Sequence, residues 1–345
     1  METDIWNSPD YIYSIFRQCD YKTITQICPL NKHIRQICTT NTLIQQLIIQ
    51  KKTEGFLKTL KVKMLPPSFA IGLASQRGFI DIINELMNRG YDPSAYDNYA
   101  IKAAIKVGNH ELIERLLQDS RINPSVNNNI LIKLASKHGQ LLLVQQLLQD
   151  VRVNPNDFRD HSNAIAEASG NGHLEVVNLL LQDPRVDPSA NNNAAICAAS
   201  ENGHLEVVER LLSDHRVDPS ANGNSAIILA SEKGHISMVE RLCQDWRIDP
   251  SADKHKPIQS ACSSKHWNIV DLLLQNVDPS SGNNYLIRWA AKTDNLCLME
   301  KLLINGRVDP SANNNEAIKV AHEKGNRTIV ERLLRDKRVS FAALI

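Results

Sequence analysis

The 345-residue chain predicts an all-α repeat solenoid: nine stacked helix-turn-helix units preceded by a small N-terminal helical bundle. Three observations predict it. A central alanine recurs about every 31 residues, at Ala74, Ala104, Ala135, Ala168, Ala199, Ala230, Ala261, Ala290 and Ala321. An isoleucine stands three residues before each, from Ile71 to Ile318, and a leucine twelve after, from Leu86 to Leu333. Nine residues after each alanine the side chain is Val, Ile or Met, from Ile83 to Val330. A period of this length marks units that cannot bury their apolar face alone and so stack on their neighbours.

The clearest unit runs from Asn193 to Asn222. Ile196 and Ala199 lie one turn apart on a first helix, and the small alanine lets a neighbouring helix approach. Gly203 then breaks the periodicity, as expected where a helix ends in a left-handed residue. Leu205, Val208, Leu211 and Leu212 form the stripe of a second helix. Val217-Asp218-Pro219-Ser220 leads to an Asn-rich tip, where asparagine tolerates positive φ. Turn prolines from Pro93 to Pro310 keep the same spacing with two exceptions. Extra residues follow Pro155, around Phe158-Arg159-Asp160-His161, and should extend that finger. Two residues are missing after Pro250, near Asn276-Val277, which should alter local stacking only.

The first fifty residues do not follow the repeat. Ser8-Pro9-Asp10 supplies a helix start, and three short helices are expected from Ile12, Ile15 and Phe16, then Ile24 to Cys38, then Leu43, Leu47 and Ile48. About fifty residues make a marginal core, so this bundle should lean on the first repeat or on another protein. The boundaries expected are 1–50 for the bundle, 51–65 for a basic linker helix and 66–345 for the array. Lys51, Lys52, Lys58, Lys61 and Lys63 of the linker read as a solvated helix face, and Met64-Leu65-Pro66-Pro67 ends it. At the other end, Arg338-Val339-Ser340 imitates the start of a tenth turn.

Charge is balanced, 39 Lys+Arg against 38 Asp+Glu, which gives no global reason to expect a nucleic-acid or membrane partner. No apolar run approaches a membrane span, and the start lacks a secretory leader. The seven cysteines form no Cys-x-x-Cys pair or metal-ligand spacing, and are expected as separate thiols in a reducing compartment. The expectation is a cytoplasmic, monomeric protein without cofactor or metal. His173, His204, His235 and His266 recur at the repeat spacing; neighbouring helices pack roughly 8–10 Å apart, too far for a metal ladder, so helix-entry capping is expected. No nucleophile elbow or phosphate loop is present, and no enzyme site is expected.

Gly-His-Leu-Glu-Val-Val at 172–177 and 203–208 resembles the second-helix motif of the ankyrin repeat, and the resemblance covers about residues 66–340. It departs in lacking the family's Thr-Pro-Leu-His start, in units two residues short of about 33, which should trim the β-turn finger, and in Lys265 and Asp294 at the inter-helix glycine. The Asp-Pro-Ser-Ala-Asn-Asn-Asn phrase resembles ankyrin proteins of giant amoeba-infecting DNA viruses and some protists. Within 7–48, the order Pro9, Ile12, Ile15-Phe16, Asp20, Ile27-Cys28, Asn31-Lys32, Arg35, Ile37-Cys38 and Leu43 resembles an F-box, which docks substrate receptors on the adaptor of cullin-RING ubiquitin ligases. No leucine precedes Pro9, and Ile44 stands where that family often has tryptophan. A plain helical cap on the array is the alternative.

What the resemblances imply is a protein-binding scaffold. Pro9, Ile12, Ile15 and Phe16 would touch the ligase adaptor. The ankyrin likeness places the residues two and three after each alanine on the concave groove, where identity varies: Lys106, Lys137, His138, Glu201, Asn202, Glu232, Lys233 and Lys292 are the candidate contacts for a target protein, with Phe158 and Arg159 in the long finger. A substrate receptor is one reading; a stand-alone scaffold or decoy is the other.

Overall fold

The computed structural model describes residues 9–29, 32–40, 42–62, 67–157 and 163–340. Among the described residues there are twenty-two α-helices and no strand. They fall into two compact units, Met1–Asp157 and Phe158–Ile345.

The first unit opens with α1 (Pro9–Gln18), α2 (Tyr21–Ile27), α3 (Lys32–Thr40) and α4 (Thr42–Val62). Asp20 caps α2, its Oδ1 accepting the Thr23 N–H at 2.8 Å, which satisfies one of the unpaired donors of a helix start. Ile12, Phe16, Ile24, Ile37, Cys38 and Leu47 form the bundle core. Three short helices and a linker were expected; instead α4 runs unbroken across residue 50, since no proline interrupts it before Pro66. Cys28 and Cys38, expected as separate thiols, are disulfide-bonded: the ends of α2 and α3 bring their Cα atoms to 6.2 Å, within disulfide reach.

The bundle leans on the first repeat through the far half of α4. Phe56 meets Phe79 edge-on with ring centres 6.4 Å apart, and Lys52 pairs with Asp81 at 3.3 Å. Repeats 1 to 3 follow in the same unit and repeats 4 to 9 fill the second. In every repeat the positions that set the period are buried, with one exception: Val330 of the ninth is half-buried. At roughly 25 cal/mol per Å² of apolar area removed from water, this shared framework is the main stabilising term.

Local chemistry explains the recurring phrases. In Asp218-Pro219-Ser220 the aspartate Oδ1 accepts the Ser220 N–H at 2.9 Å and its hydroxyl at 2.6 Å, a side-chain turn that proline's fixed φ pre-sets. The tip that follows is not a β-turn hairpin. Asn191, Asn192 and Asn193 have φ of 55°, 56° and 58°, one turn of left-handed helix closed by the Asn193 N–H on the Ser189 carbonyl at 2.9 Å. Such a turn costs an L-residue roughly 1–2 kcal/mol per position, less for asparagine. Lys265 and Asp294 take the left-handed conformation with φ of 63° and 56°, where most repeats use glycine.

In repeat 7 the helix Trp267–Asn276 passes directly into extended Val277. The two missing residues are therefore those of the Asp-x-Arg turn that ends the second helix in repeats 5 and 6. Beyond repeat 9 that turn forms again at Asp336 and Arg338, and the Ser340 N–H donates to Asn315 Oδ1 at 3.1 Å. The imitated tenth turn thus docks on the ninth tip.

Candidate functional site

Neighbouring repeats are fastened at both ends of their first helices by polar side chains, which separates structural residues from those left for binding. At the finger end, the third residue of the left-handed turn points into the next repeat. Asn193 Oδ1 accepts the Asp218 N–H at 2.8 Å, Asn224 that of Asp249 at 3.2 Å and Asn284 that of Asp309 at 2.8 Å. In the first unit Asn129 accepts from Asn154 at 2.8 Å and donates to Asp157 at 2.9 Å.

At the opposite end the repeating histidines do something other than cap their own helices. None of His204, His235 and His266 makes a side-chain cap bond. Their Nε2 atoms lie 3.2, 2.9 and 3.0 Å from the carbonyl oxygens of Gly170, Glu201 and Glu232, one repeat earlier. A carbonyl only accepts, so Nε2 carries the proton. Each ring also covers a left-handed glycine of that earlier repeat: a Cβ at Gly203 would lie 2.8 Å from His235. Glycine and histidine are therefore coupled across repeats. Where Lys265 replaces the glycine, the next repeat has Asn295 in place of histidine.

A third fastening uses the Asp-x-Arg turns. Arg216 is held by Asp214 at 2.8 Å and donates to the Val186 carbonyl at 3.0 Å; Arg247, held by Asp245, reaches Val217 in the same way at 3.0 Å. Hydrogen bonding from the arginine pulls the Asp214 carboxyl down to about 2, and pulls Asp245 below its ordinary value. Arginine, tripartite in its bonding here, is not replaceable by lysine at such a site.

The candidate binding residues lie at the C-terminal ends of the first helices, where Glu201 and Glu232 lend only their backbone carbonyls to these fastenings. Lys106, Lys137, His138, Asn202, Glu232, Lys233 and Lys292 are exposed, and Glu201 is half-buried. Lys233 pairs with Glu201 at 3.4 Å and with Glu232 at 3.6 Å, exposed contacts worth little by themselves. Phe158 and Arg159 lie outside the described residues. In the bundle, Ile12 and Phe16 have no exposed surface, so a docking partner would meet Pro9 and the half-buried Ile15 and not them; helix periodicity placed all three apolar residues on one face, and that face turned inward. Leu43, 60% exposed, is a further exposed apolar residue of the bundle.

Two clefts open beside the candidate residues. One of 370 Å³ in the first unit is lined by Tyr99, Lys102, Lys106, Val107, Ile130 and Leu134 among others. The other, 570 Å³, in the second unit, includes Tyr285, Arg288, Trp289, Lys292, Glu316 and Glu323. Tyr99, Lys102, Tyr285 and Trp289 were missed in the sequence. The signal was present one helical turn before the variable pair, since residues four apart share a helix face: Lys102 precedes Lys106 and Arg288 precedes Lys292. No group of three or more His, Cys, Asp and Glu that could hold a metal occurs among the described residues.

A family model of ankyrin repeats in three copies matches residues 71–157, 131–223, 164–254 and 196–283. The chain belongs to the ankyrin-repeat family. No curated protein matches it. Ankyrin repeats are protein-binding modules, and the division between fastenings of fixed position and exposed residues that change from repeat to repeat is how such a scaffold separates stability from recognition. No helix among the described residues is long and apolar enough to cross a membrane.

Proposed function

We propose that this ankyrin-repeat protein is a substrate receptor: the first-helix ends of the repeats hold a target protein, and the 9–62 bundle recruits the adaptor of a cullin-RING ubiquitin ligase. The observation that supports target binding is the contrast between the buried framework and the exposed residues Lys106, Lys137, Asn202, Glu232, Lys233 and Lys292, which differ from repeat to repeat. The F-box-like order of residues in the bundle supports recruitment, with Pro9, Ile15 and Leu43 supplying its accessible apolar surface.

Co-purification of the full chain with the adaptor is the test. Ile15→Asp and Leu43→Asp should each abolish association while circular dichroism stays unchanged. No association of the unaltered chain would sink recruitment. A second reading is favoured by the Phe56–Phe79 contact: the bundle covers repeat 1 and the protein is a stand-alone scaffold. Under that reading adaptor binding is absent and both variants bind the target as the parent does.

A further inference from the structure

Repeats 1 to 3 carry a one-signed binding cleft. Their first helices, with the residue that closes each, expose Arg77, Lys106 and Lys137, with Lys102 half-buried, while Lys133 is buried and lies outside the cleft. The single carboxylate there, Asp97, lies in the left-handed turn with φ of 57°, at the end of its helix remote from Lys106. Among the described residues no carboxylate lines the 370 Å³ cleft. Lys102 and Lys106 sit four residues apart on one helix face, and neither has a hydrogen-bond or ion-pair partner among the described residues.

The floor between them is apolar and already shaped. Val107 is 53% exposed, and Ile130 and Leu134 are half-buried beside it. Tyr99 is held from both sides: it stacks on Phe69 with ring centres 4.9 Å apart, and its ring occupies the space where a Cβ on Gly72 would stand, 2.0 Å from Cδ1. A floor fixed before binding loses little side-chain freedom on contact, which favours affinity. The larger cleft of the second unit lacks this bias, because Glu316 and Glu323 line it with its cations and Glu316 already pairs with Arg288 at 2.7 Å.

We infer that the cleft of repeats 1 to 3 binds an acidic, amphipathic protein segment. An apolar side chain fills the floor at Val107, Ile130 and Leu134, while two carboxylates about one helical turn apart meet Lys102 and Lys106. The charge pattern sets the sign of the partner and the floor requires an apolar anchor, a combination a nucleic-acid backbone does not offer. This rests on the scaffold reading above and names the chemistry of the target at that site.

Selection from a random twelve-residue peptide display library against the full chain tests it. Enriched peptides should carry Asp or Glu flanking Leu, Ile, Met or Phe. By fluorescence anisotropy, the best labelled peptide should bind Lys102→Gln/Lys106→Gln about tenfold more weakly, with a reduced salt dependence, because rim charges act through long-range attraction. It should bind Lys337→Gln, which changes an exposed lysine outside the cleft, unchanged. Enriched peptides without acidic bias, or indifferent to the double variant, overturn the inference and leave the scaffold reading standing. Failure to enrich any peptide counts against both. Tighter binding of a labelled single-stranded oligonucleotide than of any selected peptide, lost in the double variant, overturns the inference in favour of nucleic acid.

Discussion

Apart from the 21-residue α4, the bundle and the repeats are built from helices of similar length, yet they are held together differently. In the bundle, Ile12, Phe16, Ile24, Ile37, Cys38 and Leu47 make one apolar cluster, supplemented by the Cys28–Cys38 bond. In the repeats the apolar framework is shared, and polar side chains reach from one repeat to the next at fixed positions. A cluster of this kind is lost as a whole. A stack of nearest-neighbour interfaces loses one interface at a time, so the same class of damage should spread in the first region and stay local in the second.

The largest expected effect separates them directly. Phe16→Ala removes the largest fully buried side chain among the described residues, at about 3–5 kcal/mol, more than so small a core can spare. Hydrogen exchange should show loss of protection across 9–48, with repeats 5 to 7 protected as before. Uniform loss throughout the chain would show that the bundle and the array form one cooperative body.

A smaller effect is expected for Asn224→Ala. The change leaves the half-buried Asp249 N–H without its acceptor, costing about 1–3 kcal/mol, plus the poorer tolerance of alanine for φ of 64°. Asn222→Ala measures that backbone contribution alone, since Asn222 is exposed with φ of 53°. Equal urea midpoints for the two variants would remove the fastening role from Asn224.

How the two regions are held also explains what could be read from their sequences. Nine copies expose a framework without any alignment: Ile196, Ala199, Val208 and Leu211 are buried, as their periodicity required. The same repetition hid the role of Asn193 and His235, whose partners lie about one repeat away in the chain, and a fastening looks like any other conserved-looking letter within a copy. The rule that a ring at His235 needs a bare glycine at Gly203 becomes visible only when the copies are paired in space. In the bundle there is one copy. Helix spacing identified Ile12, Ile15 and Phe16 as one face but not which way that face turned, and no spacing announces that Cys28 and Cys38 will meet. The candidate binding residues were legible as a set, and the cleft between Lys102 and Lys106 was not, because it takes Tyr99 and the next helix to form its walls.

Acid should act on the array before it acts on the bundle core. The carboxyls of Asp119, Asp150, Asp183, Asp214, Asp245 and Asp336 all lie below their ordinary value, first through hydrogen bonding with an arginine two residues on. A lowered folded-state value means stability fully present above the unfolded value of about 3.9 and lost as pH falls toward the folded value, about 2 for Asp214. The Asp-x-Arg turns should therefore add no slope between neutral pH and pH 5. Asp214→Asn keeps the turn, as Asn305 does naturally by accepting the Arg307 N–H at 3.1 Å, and should flatten the decline between pH 4 and pH 2 by its own share. An unaltered acid limb in that variant would show that Asp214 is not linked to folding.

The smallest effect lies at the finger-end fastening of repeat 7, where a histidine stands at the position that carries asparagine in repeats 5 and 6. In repeat 7 the third residue of the left-handed turn is His255, 2% exposed, with Nε2 on the Ser281 hydroxyl at 2.7 Å and no partner for Nδ1. Burial pushes its pKa down, opposed by the nearby Asp249 and Asp278 carboxylates. A base with a lowered folded value favours the neutral ring, so its contribution is full above the unfolded value of about 6.5 and declines as pH falls from there to the folded value, then levels off. Repeat 7 should thus loosen in mild acid, well above the range in which the Asp-x-Arg turns titrate. His255→Asn restores the residue that repeats 5 and 6 use at this position. Amide exchange in 252–276, compared between pH 7.5 and 5.5, should quicken in the parent and not in the variant. Equal acceleration in both would place the acid sensitivity elsewhere and make His255 equivalent to the asparagines it replaces.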